Sequence, residues 1–344
     1  MKALTLTAYN EFAYQDVPDP SPAADEVLVR VKACGICGSD VHGFDGTSGR
    51  RIPPIIMGHE ASGEIAAVGE KVSRWKAGDR VTFDSTVYCG GCEYCQKGMV
   101  NLCLHRRVLG VSCGDYRQHG AFAEYVAVPE RILFAIPEGL THEQAAFAEP
   151  LSIALHAVDR AGAKAGDTAL VIGAGVIGLL VLQALKRQGC ARVFVSDLNP
   201  ARLAIARETG ADEVFAANAC DVVAEMLART GGEGCDVTME CVGFGPAVAT
   251  AIDAVCKGGR VGLVGNLAVH CELPLQKVVT REISLHGSCA SSGEYQAAID
   301  ALADGSITIA PLLSAVAPLR EGASWFTRLH SGREPLIKVV LRPD

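Results

Sequence analysis

Two textures divide the chain. Up to about Pro150, short apolar or alternating runs (EVLVRVKA, SGEIAAVG, DRVTF and AEYVAV) are separated by glycine, proline and aspartate. Side chains that alternate with a period of two suit strands with one buried face, so this half predicts a loop-rich, all-β domain. From Thr168 the texture becomes regular. TALVIG, RVFVSD, EVFAA, DVTMECV, RVGLVG and ISLHG read as short buried strands. Between them lie four helix-like runs, GVIGLLVLQALKRQG, PARLAIARETG, DVVAEMLARTG and PAVATAIDAVCKGG, the first two ending in glycine as a helix C-cap does. Strand and helix alternating at this interval predict right-handed βαβ units and a parallel, doubly wound sheet of six strands. Beyond Gly287, GEYQAAIDALADG and PLIKVVL add a helix and a strand that the sheet does not need, so the chain is expected to return to its first domain.

A length of 344 residues exceeds one ordinary hydrophobic core and suits two domains. With 49% apolar and 20% charged residues and no low-complexity tract, the composition is that of a soluble globular chain. The net charge of −8, without any Lys/Arg-rich block, excludes nucleic acid as the expected partner. The start, MKALTLTAYNEF, soon meets Glu11 and Asp16 and is unlike a signal peptide, so a cytoplasmic location is expected. Thr168 to Leu185 carries no charge, but its three glycines suit a strand, a turn and a buried helix better than a membrane span. Fourteen cysteines without an export signal point to metal binding or catalysis rather than a disulfide framework. Cys190, Cys220, Cys235, Cys241, Cys256 and Cys271, scattered singly, read as small buried hydrophobes.

Three constellations carry chemistry. Gly173, Gly175 and Gly178, with Val176 and Ile177 among them, form GAGVIG between a strand and a helix. The glycines allow a tight turn, close approach of a pyrophosphate and close helix packing, with the helix N-terminus facing the phosphates. Asp197 ends the next strand, where a carboxylate accepts hydrogen bonds from ribose hydroxyls and repels a 2′-phosphate, favouring NAD over NADP. Arg202 lies nearby and suits either the adenosine end or a solvated helix face. In YCGGCEYCQKGMVNLC, Cys89, Cys92 and Cys95 are each separated by two residues and Cys103 follows. Four thiolates on a tight loop close a tetrahedral shell, which describes a structural zinc site. Upstream, Cys37 in CGICGSDVH and His59 with Glu60 in GHE describe an open zinc site, with Glu149 in AEPLS as a further carboxylate. Taken singly, His59 also suits a satisfied core position and Glu60 a surface one. Ser39 and His42, close behind Cys37, tip the balance, because a hydroxyl and an imidazole beside a metal-bound alcohol form a proton exit.

Nearly the whole chain resembles the zinc-dependent medium-chain alcohol dehydrogenases, and within them the sorbitol (L-iditol) and related polyol dehydrogenase branch. The resemblance rests on CGICGSDVH (Cys34 to His42), GHEASGEIAAVG (Gly58 to Gly69), GDRV (Gly78 to Val81), the four-cysteine lobe, EPLSIALHA (Glu149 to Ala157) and GAGVIG with Asp197. It implies an α/β chain with a GroES-like β-rich catalytic domain over 1–151 and 288–344, carrying one catalytic and one structural zinc. A Rossmann NAD-binding domain is expected over 152–287, with the active-site cleft between the two. By the same resemblance, Cys37 and His59 match catalytic-zinc ligands, and Glu60 matches a residue that ligates directly in some members and sits behind the ligands in others. Glu149 falls where polyol dehydrogenases carry glutamate, Ser39 matches the hydroxyl that touches the substrate oxygen, and His42 matches the end of the proton relay. The implied activity is transfer of a hydride from a secondary hydroxyl of a polyol or related sugar derivative to NAD, in a homotetramer or a dimer.

The substrate pocket departs from that pattern. Animal sorbitol dehydrogenases have an aromatic residue where this chain has Gly43, and an Arg-Tyr pair where it has Ser288-Cys289-Ala290-Ser291-Ser292. Threonine dehydrogenases have a Gly-Tyr-Gly-Arg-type segment there, also absent. Arg117 and His119, in DYRQHGAFAEY, suit either a pocket for a sugar acid or phosphorylated polyol or an exposed loop. The alternatives within the scaffold are a threonine, sugar-acid or sugar-phosphate dehydrogenase. A catalytically silent dinucleotide-binding or structural protein is the alternative of another class, and it predicts a broken zinc site.

Overall fold

A computed structural model describes residues 1–343 of the chain. Two compact units emerge: Met1–Glu149 with Tyr295–Gly305 and Leu313–Asp344, and Pro150–Glu294 with Ser306–Leu312.

The first unit is β-rich. In chain order it contains β1 (Lys2–Ala8), β2 (Glu11–Asp16), β3 (Glu26–Gly35), α1 (Gly38–Phe44), β4 (Ile55–Ile56), β5 (Glu60–Val68), β6 (Arg80–Phe83), β7 (Thr86–Val87) and α2 (Glu93–Gln96). There follow β8 (Arg107–Val108), β9 (Val111–Ser112), β10 (Arg117–Gln118), β11 (Tyr125–Pro129), β12 (Leu133–Ala135), α3 (His142–Ala146) and the start of α4 (Ala148–Arg160). The run EVLVRVKA forms β3, and its alternation is real: Val27, Val29, Val31 and Ala33 are all buried. The three valines pack with Leu4, Leu6, Phe83 and Phe122 into one core. Burying each such side chain contributes about 1.5–3 kcal/mol, so this single strand supplies much of the drive to close the unit.

The second unit holds β13 (Thr168–Ile172), α5 (Val176–Gln188), β14 (Arg192–Asp197), α6 (Pro200–Glu208), β15 (Glu213–Ala216), α7 (Val222–Arg229), β16 (Cys235–Glu240), α8 (Gly245–Ala254), β17 (Val255–Leu263), α9 (Leu275–Thr280) and β18 (Ser284–Gly287). Its six strands run in the order β15-β14-β13-β16-β17-β18, and every pairing is parallel. This is the doubly wound order whose direction reverses between β13 and β16, the position where such sheets bind ligands. Ala169 to Ile172 are all buried, as a parallel sheet covered on both faces requires. Thr168–Leu185 accordingly splits into a strand, a turn and a helix, and among the described residues no helix is long and apolar enough to cross a membrane.

One expected helix is shorter than its sequence suggests. PAVATAIDAVCKGG is helical only to Ala254, and Val255 opens β17. Val255 is fully buried and paired with Cys235, so a β-branched side chain before two glycines is worth more in the ladder than in another helical turn. After β18 come α10 (Tyr295–Ala303), β19 (Leu313–Pro318), α11 (Gly322–Ser331) and β20 (Lys338–Arg342). β20 pairs with β3 in the sheet of the first unit, while residues 288–294 and 306–312 belong to the second.

Candidate active site

Cys37 stands at the head of α1, where its backbone N–H donates to Asp40 Oδ2 at 3.3 Å. His59 and Glu60 arrive from β5, in which Glu60 pairs with Gly35 at the end of β3. The pairing brings Glu60 opposite the segment that leads to Cys37. Gly58, just before His59, has φ of +92°, and a β-carbon there would strike Phe122 and Cys34, so only glycine delivers His59 at this angle. The result is a Cys37 sulfur, a His59 nitrogen and a Glu60 oxygen that lie within 4.8 Å of one another. The Ser39 hydroxyl donates to Cys37 Sγ at 3.3 Å and is exposed, as is His42 one turn further on.

Charge surrounds this group. Asp40 is fully buried; it accepts from Arg51 Nε and Nη2 at 3.2 and 2.9 Å and lies 3.5 Å from His59 Nδ1. Burial works against the Asp40 carboxylate, but His59 and Arg51 outweigh it and hold its pKa well below the usual range. Burial likewise opposes charge on His59, yet Asp40 and Cys37 raise its pKa well above the ordinary value. A pocket that pulls a proton onto a buried imidazole is a pocket that favours a cation, and thiolate, imidazole and carboxylate are the donor types zinc takes. The residues therefore fit a zinc ion. Glu60 is held from behind by Lys338 Nζ at 2.5 Å, with both side chains 2% exposed. Glu149 lies outside the 4.8 Å group; its Oε1 accepts from Ser85 at 2.7 Å, and burial foremost raises its pKa to about 7, helped by Glu60 and Asp84 and opposed by His59 and Ser85.

The four-cysteine lobe is a second fit. Cys89, Cys92, Cys95 and Cys103 bring their sulfurs within 4.8 Å of one another, and none of the fourteen cysteines forms a disulfide. Backbone N–H groups of Cys95 and Leu104 lower Cys92 to about 6, whereas burial and the neighbouring thiols push Cys95 up to about 12. Four sulfurs this close cannot all ionise unless a cation shares them. Of the six scattered cysteines, Cys190 and Cys235 are buried, Cys220, Cys241 and Cys256 are partly buried, and Cys271 is exposed, contrary to expectation, because it sits in the open segment before α9.

In the second unit Gly173 has φ of +96°, and Gly178 lies so close to its carbonyl that any β-carbon would overlap it. Nothing stands within 4 Å of where a Gly175 β-carbon would be, leaving open space ahead of Val176 and Ile177 at the start of α5. That cradle fits a pyrophosphate. Asp197 ends β14, where Oδ2 accepts from Ala174 N at 2.6 Å and Oδ1 from Asn199 N at 2.8 Å. Arg202 sits in the first turn of α6 with a buried Nε that has no hydrogen-bond partner among the described residues.

Comparison with known proteins gives the same picture. The family "alcohol dehydrogenase GroES-like domain" matches residues 23–138, and "zinc-binding dehydrogenase" matches residues 176–304. The whole chain is 34% identical to sorbitol dehydrogenase of Bacillus subtilis (strain 168), covering 98% of that protein. It is equally 34% identical to D-arabitol-phosphate dehydrogenase of Enterococcus avium, again over all of this chain and 98% of the relative. The chain belongs to the zinc-dependent medium-chain alcohol dehydrogenases. A crystal structure of a zinc-binding dehydrogenase from Sinorhizobium meliloti 1021 bound to NADP resembles this alcohol dehydrogenase with a TM-score of 0.90, at 35% identity and 99% coverage of each chain.

Several residues of this dehydrogenase's site escape a reading of motifs. Asp40 has a sequence signal, an acid three residues past a helix-capping cysteine. Lys338 has one too, a lone charge in the apolar strand PLIKVVL. Arg51 has none; it reaches the site because its stem passes over Gly43, where a β-carbon would collide with it. Gly43, which departs from the aromatic of the animal enzymes, is thus the space that Arg51 occupies.

Proposed function

We propose that this dehydrogenase oxidises a secondary hydroxyl of a polyol or related sugar derivative to a ketone, with NAD as hydride acceptor. The observation that carries the reading is the Cys37, His59 and Glu60 group with the exposed Ser39 hydroxyl against its sulfur. The relatives that act on sorbitol and D-arabitol phosphate supply the substrate class. In this reading the first unit is the catalytic domain and the second holds the dinucleotide. Cys37 and His59 hold one zinc, with Glu60 or Glu149 as carboxylate donor, and Cys89, Cys92, Cys95 and Cys103 hold the other.

When bound, zinc supplies a Lewis acid for the substrate hydroxyl and NAD supplies the acceptor for the carbon-bound hydride, so the products are ketone, NADH and a proton. The chain's own residues handle the rest. Ser39 takes the hydrogen bond of the substrate hydroxyl and passes its proton outward, and the exposed His42 receives it. Asp40, kept anionic by Arg51, fixes the ring of His59. Val176 and Ile177 offer backbone N–H groups to the phosphates, Asp197 accepts from the ribose hydroxyls, and Arg202 meets the adenosine end. A carboxylate at Asp197 opposes a 2′-phosphate, which selects NAD.

The edge strand β18 and the exposed Leu267, Val269, Leu275 and Val279 beside it favour association of copies into a homotetramer or dimer. Fourteen cysteines outside any disulfide suit the reducing cytoplasm.

The test is NADH formation from NAD across hexitols, pentitols, tetritols, sugar acids, their phosphates and threonine, with and without a zinc chelator, and with NADP in parallel. Chelator-sensitive turnover of one polyol class with NAD supports the reading; silence across the panel from protein holding two zinc ions per chain contradicts it.

A further inference from the structure

Two arginines share a strand ladder near the Cys37 group, and one of them keeps uncommitted N–H donors. Arg51 forms a parallel bridge with Ser112, and Arg117 on β10 pairs with the same Ser112 from the other side. Paired residues in a ladder point their side chains to one face, so Arg51, Ser112 and Arg117 share a face. That face is the one turned to the reaction site, because Arg51 Nη2 reaches Ser39 Oγ at 3.3 Å and Ser39 touches Cys37 Sγ. The two arginines differ in what remains to be offered. Arg51 is 4% exposed and spends its donors on Asp40, the Arg50 carbonyl and Ser39. Arg117 is exposed, and only its Nε is used, donating to the Ser112 hydroxyl at 3.3 Å. Ser112 is itself 2% exposed and so is a fixed anchor. Anchoring Nε leaves the two Nη groups as a fork with no carboxylate on it among the described residues, the geometry that grips a planar or tetrahedral oxyanion. Arg50, whose carbonyl accepts from the Ser112 backbone N–H, adds a second exposed cation without an ion pair among the described residues.

We infer that Arg117 is a specificity residue that grips an anionic group, phosphate or carboxylate, at the end of the substrate remote from the reacting hydroxyl. The inference rests on the polyol dehydrogenase reading and narrows it. Two strand spacings separate Arg51 from Arg117, about 10 Å, so the anion belongs on the far end of a linear sugar derivative and not beside the oxidised carbon. His119, two residues along the chain, is a neutral donor near enough to feel Arg117: its Nδ1 accepts from Ile56 N at 3.3 Å, leaving the proton on Nε2, and burial followed by the charge of Arg117 lowers its pKa. A neutral polyol makes no use of the fork.

The experiment compares the zinc-loaded enzyme with its Arg117→Ala variant on pentitols and hexitols, on their terminal phosphates and on the corresponding sugar acids, reading kcat/KM for each. Calorimetric titration of both proteins with inorganic phosphate gives a readout that does not depend on turnover. The wild type is expected to prefer anionic substrates, and Arg117→Ala to lose roughly 10- to 100-fold in kcat/KM on them while neutral polyols keep theirs. Phosphate binding is expected to weaken by a similar factor. A loss confined to phosphates or to acids names the anion. Equal effects on neutral and anionic substrates, or phosphate binding unchanged by the substitution, overturn the inference. If the wild type turns over nothing, the polyol reading fails, and the phosphate titration alone still decides whether Arg117 grips an anion.

Discussion

Arg51 and Gly43 illustrate how single positions build the site. The guanidinium joins Asp40 to Ser39, and its stem fills the space a larger residue 43 would take. Gly43→Ala is expected to cost about 1–3 kcal/mol through overpacking, measured by urea unfolding, and Arg51→Met about 3–5 kcal/mol because it removes the guanidinium that pairs with the buried Asp40 carboxylate. An unchanged unfolding midpoint in either variant would contradict the placement of Arg51. The two groups of candidate metal donors, which the fold does bring together, were legible because their types and spacing announce chemistry that few other roles require. Arg51 was not legible, since nothing local distinguishes it from Arg50; only the fold decides which of two adjacent arginines is buried against an aspartate. Glu149 shows the opposite limit, a motif residue whose distance from the other donors cannot be read from spacing at all.

Elements are tied to one another by buried and half-buried ion pairs. Lys338 of β20 reaches Glu60 of β5 and also donates to the Ile36 carbonyl at 3.1 Å, so a strand from the chain's end fixes the carboxylate of the site. Lys338→Met is expected to destabilise by about 3–5 kcal/mol and to weaken zinc retention in a chelator competition, whereas Lys338→Arg restores part of both. At the end of α1, Asp45 accepts from His330 of α11 at 3.0 Å and from Thr47. Burial is the largest single influence and opposes its charge, but the hydrogen bonds from His330 and Thr47 together outweigh it and hold its pKa at about 2. The unfolded carboxylate titrates near 4, so this contribution is present above that pH and is lost as pH falls from about 4 to about 2. Asp45→Asn is expected to cost less than about 1 kcal/mol at pH 7, the pair being partly exposed, and to match the wild type near pH 2. Equal differences at both pH values would show that Asp45 acts through something other than its charge. These ties were invisible in the sequence because each joins residues far apart in the chain, whereas β3 and β13 announce themselves by periodicity alone.

At the scale of the whole molecule, the doubly wound sheet and the β-rich first unit were both readable from the change in hydrophobic texture near Thr168. The boundary of α8 with β17 was not, because VCKGG suits either element until its partner strand is known. Association of copies belongs to this scale too. Val269 is 89% exposed, with Leu275 and Val279 exposed in the segment that follows, and if copies associate through this segment as proposed, Val269→Glu is expected to lower the mass in analytical ultracentrifugation while leaving the fold unchanged by circular dichroism. An unaltered mass would remove this segment from the contact. The central claim, that Cys37, His59 and Glu60 form a zinc-dependent reaction centre separate from the four-cysteine lobe, is tested most directly by Cys37→Ser. Zinc content, NADH formation and thermal stability measured together on that variant are predicted to show one zinc lost per chain, turnover gone and the four-cysteine zinc retained in a folded protein. A variant that keeps both zinc ions, or keeps its turnover after losing one, would contradict the account.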